Sequence, residues 1–425
     1  MVNLSVGERI RNYRSILQIT QKELAGRNLS PNYIYMLENN MKSITPKSAM
    51  FIAERIEYFS KEKNIKLSVG INDLLLSETQ YAEKLCLEKL YDLNKSFSER
   101  ACEDILSISK KYSLNNITTE VLAMLGEFYY KNRDYTKSIE CLNLIKEFKE
   151  DISGTLLHIG VLNRIGTCYY MLNEDDIAFE YLNKSYDEFQ NSKIQDDKLK
   201  FKVTFNLALY YEKTKQYETA LSLNDILLDS LKLDHRQLSN TLLLRGNIYG
   251  KQNKSDEAIE IYERLLREDE QNRYIYLNNI SIELNKLGRK EESSRYLNEA
   301  INIQLKLDLP TTTSSFIQLG RNCRSNKNFK QAIHCFDCAL RSSKKYSQLD
   351  KRTQCYFNLL ETYKENKQVE CFIEYASEIN ELIEEHADNY LLRLKLYLIL
   401  IDYYIESKQT LLAQKLIKDI NERGD

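Results

Sequence analysis

The sequence contains no tryptophan, three prolines and twelve glycines in 425 residues. Glycine and proline together make up about 12% of an average chain. Sheets, barrels and tight-turned α/β units need both residue types for their turns, so the shortage excludes them. An all-α chain with short polar connections remains. No apolar run approaches the roughly 18 residues that a membrane span requires. The opening stretch, MVNLSVGERIRNYR, lacks the apolar core of a signal peptide. The nine cysteines are odd in number and widely scattered, which suits a reduced compartment better than a disulfide framework. With 43% hydrophobic and 29% charged residues, a cytoplasmic helical protein is predicted.

The net charge of −2 hides an asymmetry. Residues 1–66 hold 11 Lys and Arg against 6 Asp and Glu, whereas the remainder holds 49 against 56. A basic head on an acidic body suggests that the head alone meets a polyanion. Scatter among solvated surface charges is the alternative.

Helix starts in this head are clearly marked. Ser5-Val6-Gly7-Glu8 and Thr20-Gln21-Lys22-Glu23 read as capping boxes, in which hydroxyl and carboxylate satisfy amides reciprocally. Ser30-Pro31 and Thr45-Pro46 place a capping hydroxyl before a proline at the first helical position. Helices are predicted over 6–17, 21–26, 31–39 and 46–59, with a short fifth near 72–76. Ile10, Tyr13, Leu17, Leu24, Ala25, Ile34, Leu37, Phe51, Ile52 and Ile56 then fall inward at helical spacing. The short connection between the second and third helices makes a helix-turn-helix, whose second helix enters the major groove.

The run GERIRNYRSILQITQKELA, then SPNYIYMLENN, then TPKSAMFIAERI resembles the phage-repressor-like (XRE) helix-turn-helix. The resemblance implies a structural ion pair between Arg14 and Glu38. It implies a phosphate contact for Gln21, base-reading positions at Asn32, Tyr33 and Met36, and backbone contacts near Asn39 and Lys42. Leu24 to Ile34 is one residue shorter than in most phage repressors. Asn32 can read adenine bidentately, while Tyr33 and Met36 offer apolar contact to thymine methyls. For Tyr33 and Tyr35, packing against the neighbouring helix and DNA contact both stay open.

From about residue 80 the chain repeats itself. MLGEFYYKNRDYTKSIECL, RIGTCYYMLNEDDIAFEYL, NLALYYEKTKQYETALSL, LRGNIYGKQNKSDEAIEIY and QLGRNCRSNKNFKQAIHCF share one frame. Weaker copies follow NISIEL, NLLETY and LIDYYI, and a degenerate early unit begins at KLYDLN. The small-residue positions are Gly126, Gly166, Ala208, Gly246, Ser281, Gly320, Leu360 and Ile401. Spacings of about 35–42 residues indicate helical hairpins stacked in a row. The pattern resembles the tetratricopeptide repeat, without its usual Trp and with a longer period. The expected architecture is a helix-turn-helix domain over 1–66, a linker with a short helix over 67–80, and an array over 81–425. About nine repeats would form a right-handed solenoid with a concave groove.

In such hairpins the position two before the small residue faces the groove. Down the array it reads Met124, Arg164, Asn206, Leu244, Asn279, Gln318, Asn358 and Ile399, and the next inward position adds Asn247 and Arg321. Amides donate and accept together, which suits an extended peptide backbone. Arg164 and Arg321 are candidates for a carboxylate. The candidate peptide contacts are therefore Arg164, Asn206, Asn247, Asn279, Gln318, Arg321 and Asn358, with solvated helix positions as the alternative for any one.

Catalytic motifs fail. Cys335-Phe336-Asp337-Cys338 has no second ligand pair for zinc, and its cysteines suit buried small positions. His158, His235, His334 and His386 share no spacing. Phosphate loop, zinc-protease motif and nucleophile elbow are absent from the sequence. No catalytic residue, metal or cofactor is expected.

A DNA reader joined to a peptide-sized groove resembles the RRNPP family of Gram-positive quorum-sensing receptors. That resemblance implies a homodimer on an inverted-repeat DNA operator and a short signalling peptide as ligand, with no membrane partner. Two other classes remain open: a regulator whose repeats bind a protein, and a Rap-like regulator of a phosphorelay.

Overall fold

The computed structural model describes residues 4–67, 69–148, 155–386 and 389–422, and no strand occurs among them. The head comprises α1 (Val6–Ile16), α2 (Gln21–Ala25), α3 (Pro31–Glu38), α4 (Pro46–Glu62) and a short α5 (Ile71–Leu75). Each of the four marked starts is used. Ser5, Thr20, Ser30 and Thr45 accept from the amides of Glu8, Glu23, Tyr33 and Ser48. Thr20 and Glu23 complete a capping box, whereas the Glu8 carboxylate pairs with Arg11 at 3.2 Å.

Ile10, Leu17, Leu24, Ile34, Leu37, Ile52 and Ile56 meet in one apolar core. Leu74 of α5 belongs to the same core, with Ile65 and Leu67 packed against it. The segment read as a linker therefore seats its short helix on the head. Gly7 lets α1 cross the end of α3, because a Cβ there would collide with the Leu37 carbonyl oxygen.

Among the described residues the array follows as nine helical hairpins. They pair α6 (Glu78–Lys95) with α7 (Glu99–Lys111), α8 (Asn115–Lys131) with α9 (Tyr135–Ile145), and α10 (Leu156–Leu172) with α11 (Asp175–Asn191). Next come α12 (Asp197–Lys213) with α13 (Tyr217–Ser230), α14 (His235–Lys251) with α15 (Ser255–Glu268), and α16 (Arg273–Lys286) with α17 (Lys290–Lys306). The last three are α18 (Thr312–Ser325) with α19 (Phe329–Lys345), α20 (Leu349–Glu365) with α21 (Ile373–Glu385), and α22 (Tyr390–Glu406) with α23 (Thr410–Glu422). The chain divides into two compact units, residues 1–207 and 208–425, with the boundary inside α12.

In four of the strong repeats the small residue is a glycine that faces a large side chain of the second helix. A Cβ on Gly126 would lie 2.7 Å from Leu142, on Gly166 2.8 Å from Leu182, on Gly246 2.6 Å from Tyr262 and on Gly320 2.5 Å from Phe336. Glycine at these positions buys helix–helix approach that alanine would block.

The turns explain how the array manages with so little glycine. Arg133, Asn173, Lys215, Asn253, Lys327 and Lys408 close their hairpins with φ between 60° and 63°, and among the described residues only Gly288, at 76°, closes one without a side chain. In several, the following amide donates to the carbonyl five residues back, as from Asp134 to Tyr129 at 2.9 Å and Lys254 to Tyr249 at 2.9 Å. This Schellman-type bond satisfies carbonyls that the helix end leaves free, and offsets about 1–2 kcal/mol of left-handed strain.

Candidate functional site

Helix α3 buries Ile34, Leu37 and Glu38 and leaves Asn32 and Tyr35 outside. Its far end is fixed by a buried carboxylate. Glu38 is 2% exposed and accepts from Arg14 Nε at 2.6 Å, Arg14 Nη2 at 3.1 Å and Gln21 Nε2 at 2.8 Å. The bond to Glu38 raises the Arg14 guanidinium pKa above its ordinary value. Arg11 adds a donor to the Glu38 main-chain oxygen at 3.0 Å. Arg14 and Glu38 thus tie α1 to α3, and Gln21 brings α2 into the same network.

The other sequence-derived DNA contacts separate into two groups. Asn32 and Lys42 are exposed, and Met36 is half-buried. Tyr33 spans to α4, where its hydroxyl donates to Ser48 Oγ at 3.1 Å, and the Lys42 ammonium sits 5.0 Å from its ring centre. Asn39 donates to the Tyr35 carbonyl and accepts from Arg11. Arg27 and Asn28 of the α2–α3 turn are exposed beside them. Sequence reasoning passed over this pair because they lie in the connection, yet basic and amide residues there are a usable signal.

A second device fastens the head. Arg9 is 3% exposed and donates to the carbonyls of Asp73 and Leu76, both at 2.6 Å. Its guanidinium lies 4.4 Å from the ring centre of Tyr81 on α6. The Tyr81 and Tyr13 hydroxyls are 3.0 Å apart. Burial lowers the Arg9 pKa and raises that of Tyr13.

In residues 1–207, two adjoining cavities line the first helices of the hairpins. One of about 910 Å³ is lined mainly by Phe97, Ala123, Met124, Phe128 and Leu157. Ala123, Glu127 and Leu157 continue into one of about 390 Å³, which adds Arg164, Asp196, Lys198 and Lys202. Arg164 pairs with Glu127 at 2.5 Å and lies over Tyr130. Asn206 donates to Asn163 at 3.2 Å.

In residues 208–425, Asn247 accepts from Tyr262 at 2.8 Å and from Asn279 at 3.2 Å. Arg321 donates to Asn358 at 3.1 Å. Asn358 itself is 1% exposed and donates to the Gln354 carbonyl. Gln318 and Arg321 line a cavity of about 330 Å³ with Lys351 and Gln354. Those two also border a larger one of about 700 Å³ around Phe357 and Leu398. Apart from Gln318, which donates to Asn322 of its own helix, the groove residues read from sequence are therefore bonded across neighbouring hairpins, and Arg164, Gln318 and Arg321 line the cavities. Among the described residues no cluster of His, Cys, Asp and Glu can hold a metal.

Residues 7–68 match the helix-turn-helix domain family, and residues 239–272 match the tetratricopeptide repeat. The chain carries a helix-turn-helix domain and a tetratricopeptide repeat. Its fold is similar to that of the apo quorum sensor NprR from B. thuringiensis, with a TM-score of 0.54 at 16% identity over 81% of this chain and 99% of that one. A tetratricopeptide-repeat sensor of the STAND ATPase class, from Pyrococcus horikoshii, gives 0.60 at 12% identity, over 99% of this chain and 73% of that one. The likeness to the quorum sensor thus holds in fold. A further stretch of 137 residues is 28% identical to peptidyl-prolyl cis-trans isomerase CYP7 of Saccharomyces cerevisiae. The chain spans only 32% of that relative's length, and no activity is carried over from it. No helix among the described residues is long and apolar enough to cross a membrane.

Proposed function

We propose that this helix-turn-helix repeat protein is a cytoplasmic, peptide-responsive transcriptional regulator that binds an inverted-repeat operator as a homodimer. One observation carries the reading. The first turn of α3 is open to solvent on a head that Arg9 fastens to the first helix of a grooved array. A DNA reader and a ligand groove then share one mechanical connection. The fold held in common with a quorum sensor supports a short signalling peptide as the ligand class.

Each hairpin contacts its neighbours, so a peptide touching several of them favours one arrangement of the array. That preference shifts the population of head positions. Coupling of about 1–3 kcal/mol is expected, with operator DNA changing peptide affinity by the same factor. The proposed peptide contacts are Arg164 and Asn206 within residues 1–207 and, as a separate set, Asn247, Asn279, Gln318 and Arg321 within residues 208–425, with Asn358 acting through Arg321.

Selection of bound fragments from random duplex DNA by the full chain tests the first half. An inverted repeat with half-sites about 34 Å apart, or a multiple of that, is expected. Recovery of no sequence above background at moderate salt would reject the reading. Light scattering of the free and DNA-bound chain checks the homodimer.

A further inference from the structure

We infer that the paired cavities of residues 1–207 select a short peptide by a large apolar side chain and a free C-terminal carboxylate. The inference rests on the peptide reading above and adds the chemistry of the ligand and its direction. It starts from the change in character along one continuous groove.

The larger cavity is an apolar well. Ala123, Met124 and Phe128 come from α8 and Leu157 from α10, while Phe97 closes the rim by stacking on Phe128 with ring centres 4.5 Å apart. At about 910 Å³ it has room for more than one side chain. Glu120 is the exposed carboxylate at its border. Where the two cavities meet, Glu127 is neutralised by Arg164 at 2.5 Å and Lys131 at 3.6 Å. The Arg164 charge is thereby already matched.

Past that pair the groove turns basic. Lys198 and Lys202 stand one helical turn apart on α12, and both are exposed. The facing carboxylate is Asp196, whose oxygen accepts the Leu199 amide at 2.6 Å as a helix cap. Two lysines against one capping carboxylate leave an excess of positive charge.

An acid at one end, an apolar well between, and two ammonium groups at the other end complement a peptide with both termini free. The chain would lie with its amine toward Glu120, its bulky residue in the well and its carboxylate between Lys198 and Lys202. Charge-assisted bonds of this kind are about twice as strong as neutral ones. An internal segment of a folded protein offers no terminal carboxylate to the lysines. A run of acidic side chains would meet Glu120 at the border of the well.

The test uses the full chain and two synthetic pentapeptide pools, each ending in Phe or Leu, one as free acids and one as C-terminal amides. Retained peptides are identified by mass after size separation. Free acids should be retained about tenfold better than amides. A Lys198→Ala/Lys202→Ala double variant with unchanged helicity should lose that preference, and Phe97→Ala should weaken retention of both pools. Equal retention of acids and amides, or a preference that survives the double variant, overturns the inference while leaving a peptide groove in place. Retention from neither pool overturns it together with the peptide reading, and DNA selection by the same preparation shows whether regulator function survives that loss.

Discussion

The guanidinium of Arg9 lies over the ring of Tyr81, 4.4 Å from its centre, and so joins the first helix of the head to the first helix of the array. Both terminal nitrogens of Arg9 are engaged by carbonyls of the intervening segment, at Asp73 and Leu76. A planar fork can meet two carbonyls and a ring face at once, and a lysine ammonium cannot. Arg9→Ala should therefore destabilise the head by about 2–3 kcal/mol, since two part-buried carbonyls lose their donor. Arg9→Lys should recover less than half of that. Urea unfolding of the full chain measures the loss, and protease cleavage between residues 67 and 77 should accelerate with it. Cleavage at the wild-type rate would show that the segment is not held by Arg9.

Glu38 is the acceptor on which three elements of the head converge. Glu38→Ala leaves Arg14 without its carboxylate and Gln21 without its acceptor. Removing one partner of a buried pair costs about 3–5 kcal/mol. The 21% exposure of the Arg14 side chain places this site toward the lower end. Calorimetry should show a lower melting temperature for the head, with Glu38→Gln less affected because it keeps one acceptor. An unchanged transition would mean the network does not hold the head.

Acid sensitivity should come in part from Asp269. Burial acts to raise its pKa, yet bonds from Tyr276 at 2.5 Å, from the Asn272 side chain at 3.0 Å and from the Gln271 and Asn272 amides lower it below the ordinary 3.8. A carboxylate with a depressed folded pKa contributes stability above its unfolded value and loses it as pH falls through the folded one. Wild type should exceed Asp269→Asn by about 1–3 kcal/mol at pH 7. The gap should close below about pH 3.8, the unfolded value. Parallel denaturation curves at pH 7 and pH 3 decide it; a gap of constant size would assign the effect to packing.

Helix starts were legible because their determinants are local. A hydroxyl followed within four residues by a carboxylate or a proline specifies a start without tertiary help, as at Thr20 and Thr45. Glycines facing Leu142, Leu182, Tyr262 and Phe336 were legible because the repeat supplies its own register. Turns at Lys215 and Lys327 were not, since lysine carries no signature of a left-handed conformation. The partners of the groove amides were also hidden. Asn206 bonds Asn163 and Asn279 bonds Asn247, across a whole repeat of sequence. Gln21 matches a phosphate-binding position, but that match does not report the buried Glu38 beside it. The seating of α5 on the head depends on Arg9, a charged residue that no hydrophobic periodicity would place inside.

Asn32 and Tyr33 are neighbours on α3 with opposite assignments. Asn32 is exposed in the first turn, and its side-chain carbonyl and NH2 suit an adenine edge. Tyr33 faces inward to Ser48 and supports the angle between α3 and α4. If the head reads DNA as proposed, Asn32→Ala should cost about 1–3 kcal/mol for the preferred operator and almost nothing for random duplex. It should leave the melting temperature of the head unchanged. Tyr33→Phe should lower that temperature slightly through the lost bond to Ser48, while sequence preference stays the same. Binding titrations on matched and single-base-changed operators, run beside thermal melts, separate the two effects. A Tyr33→Phe variant that changes base preference with an unaltered melt would place Tyr33 at the DNA and reverse the assignment.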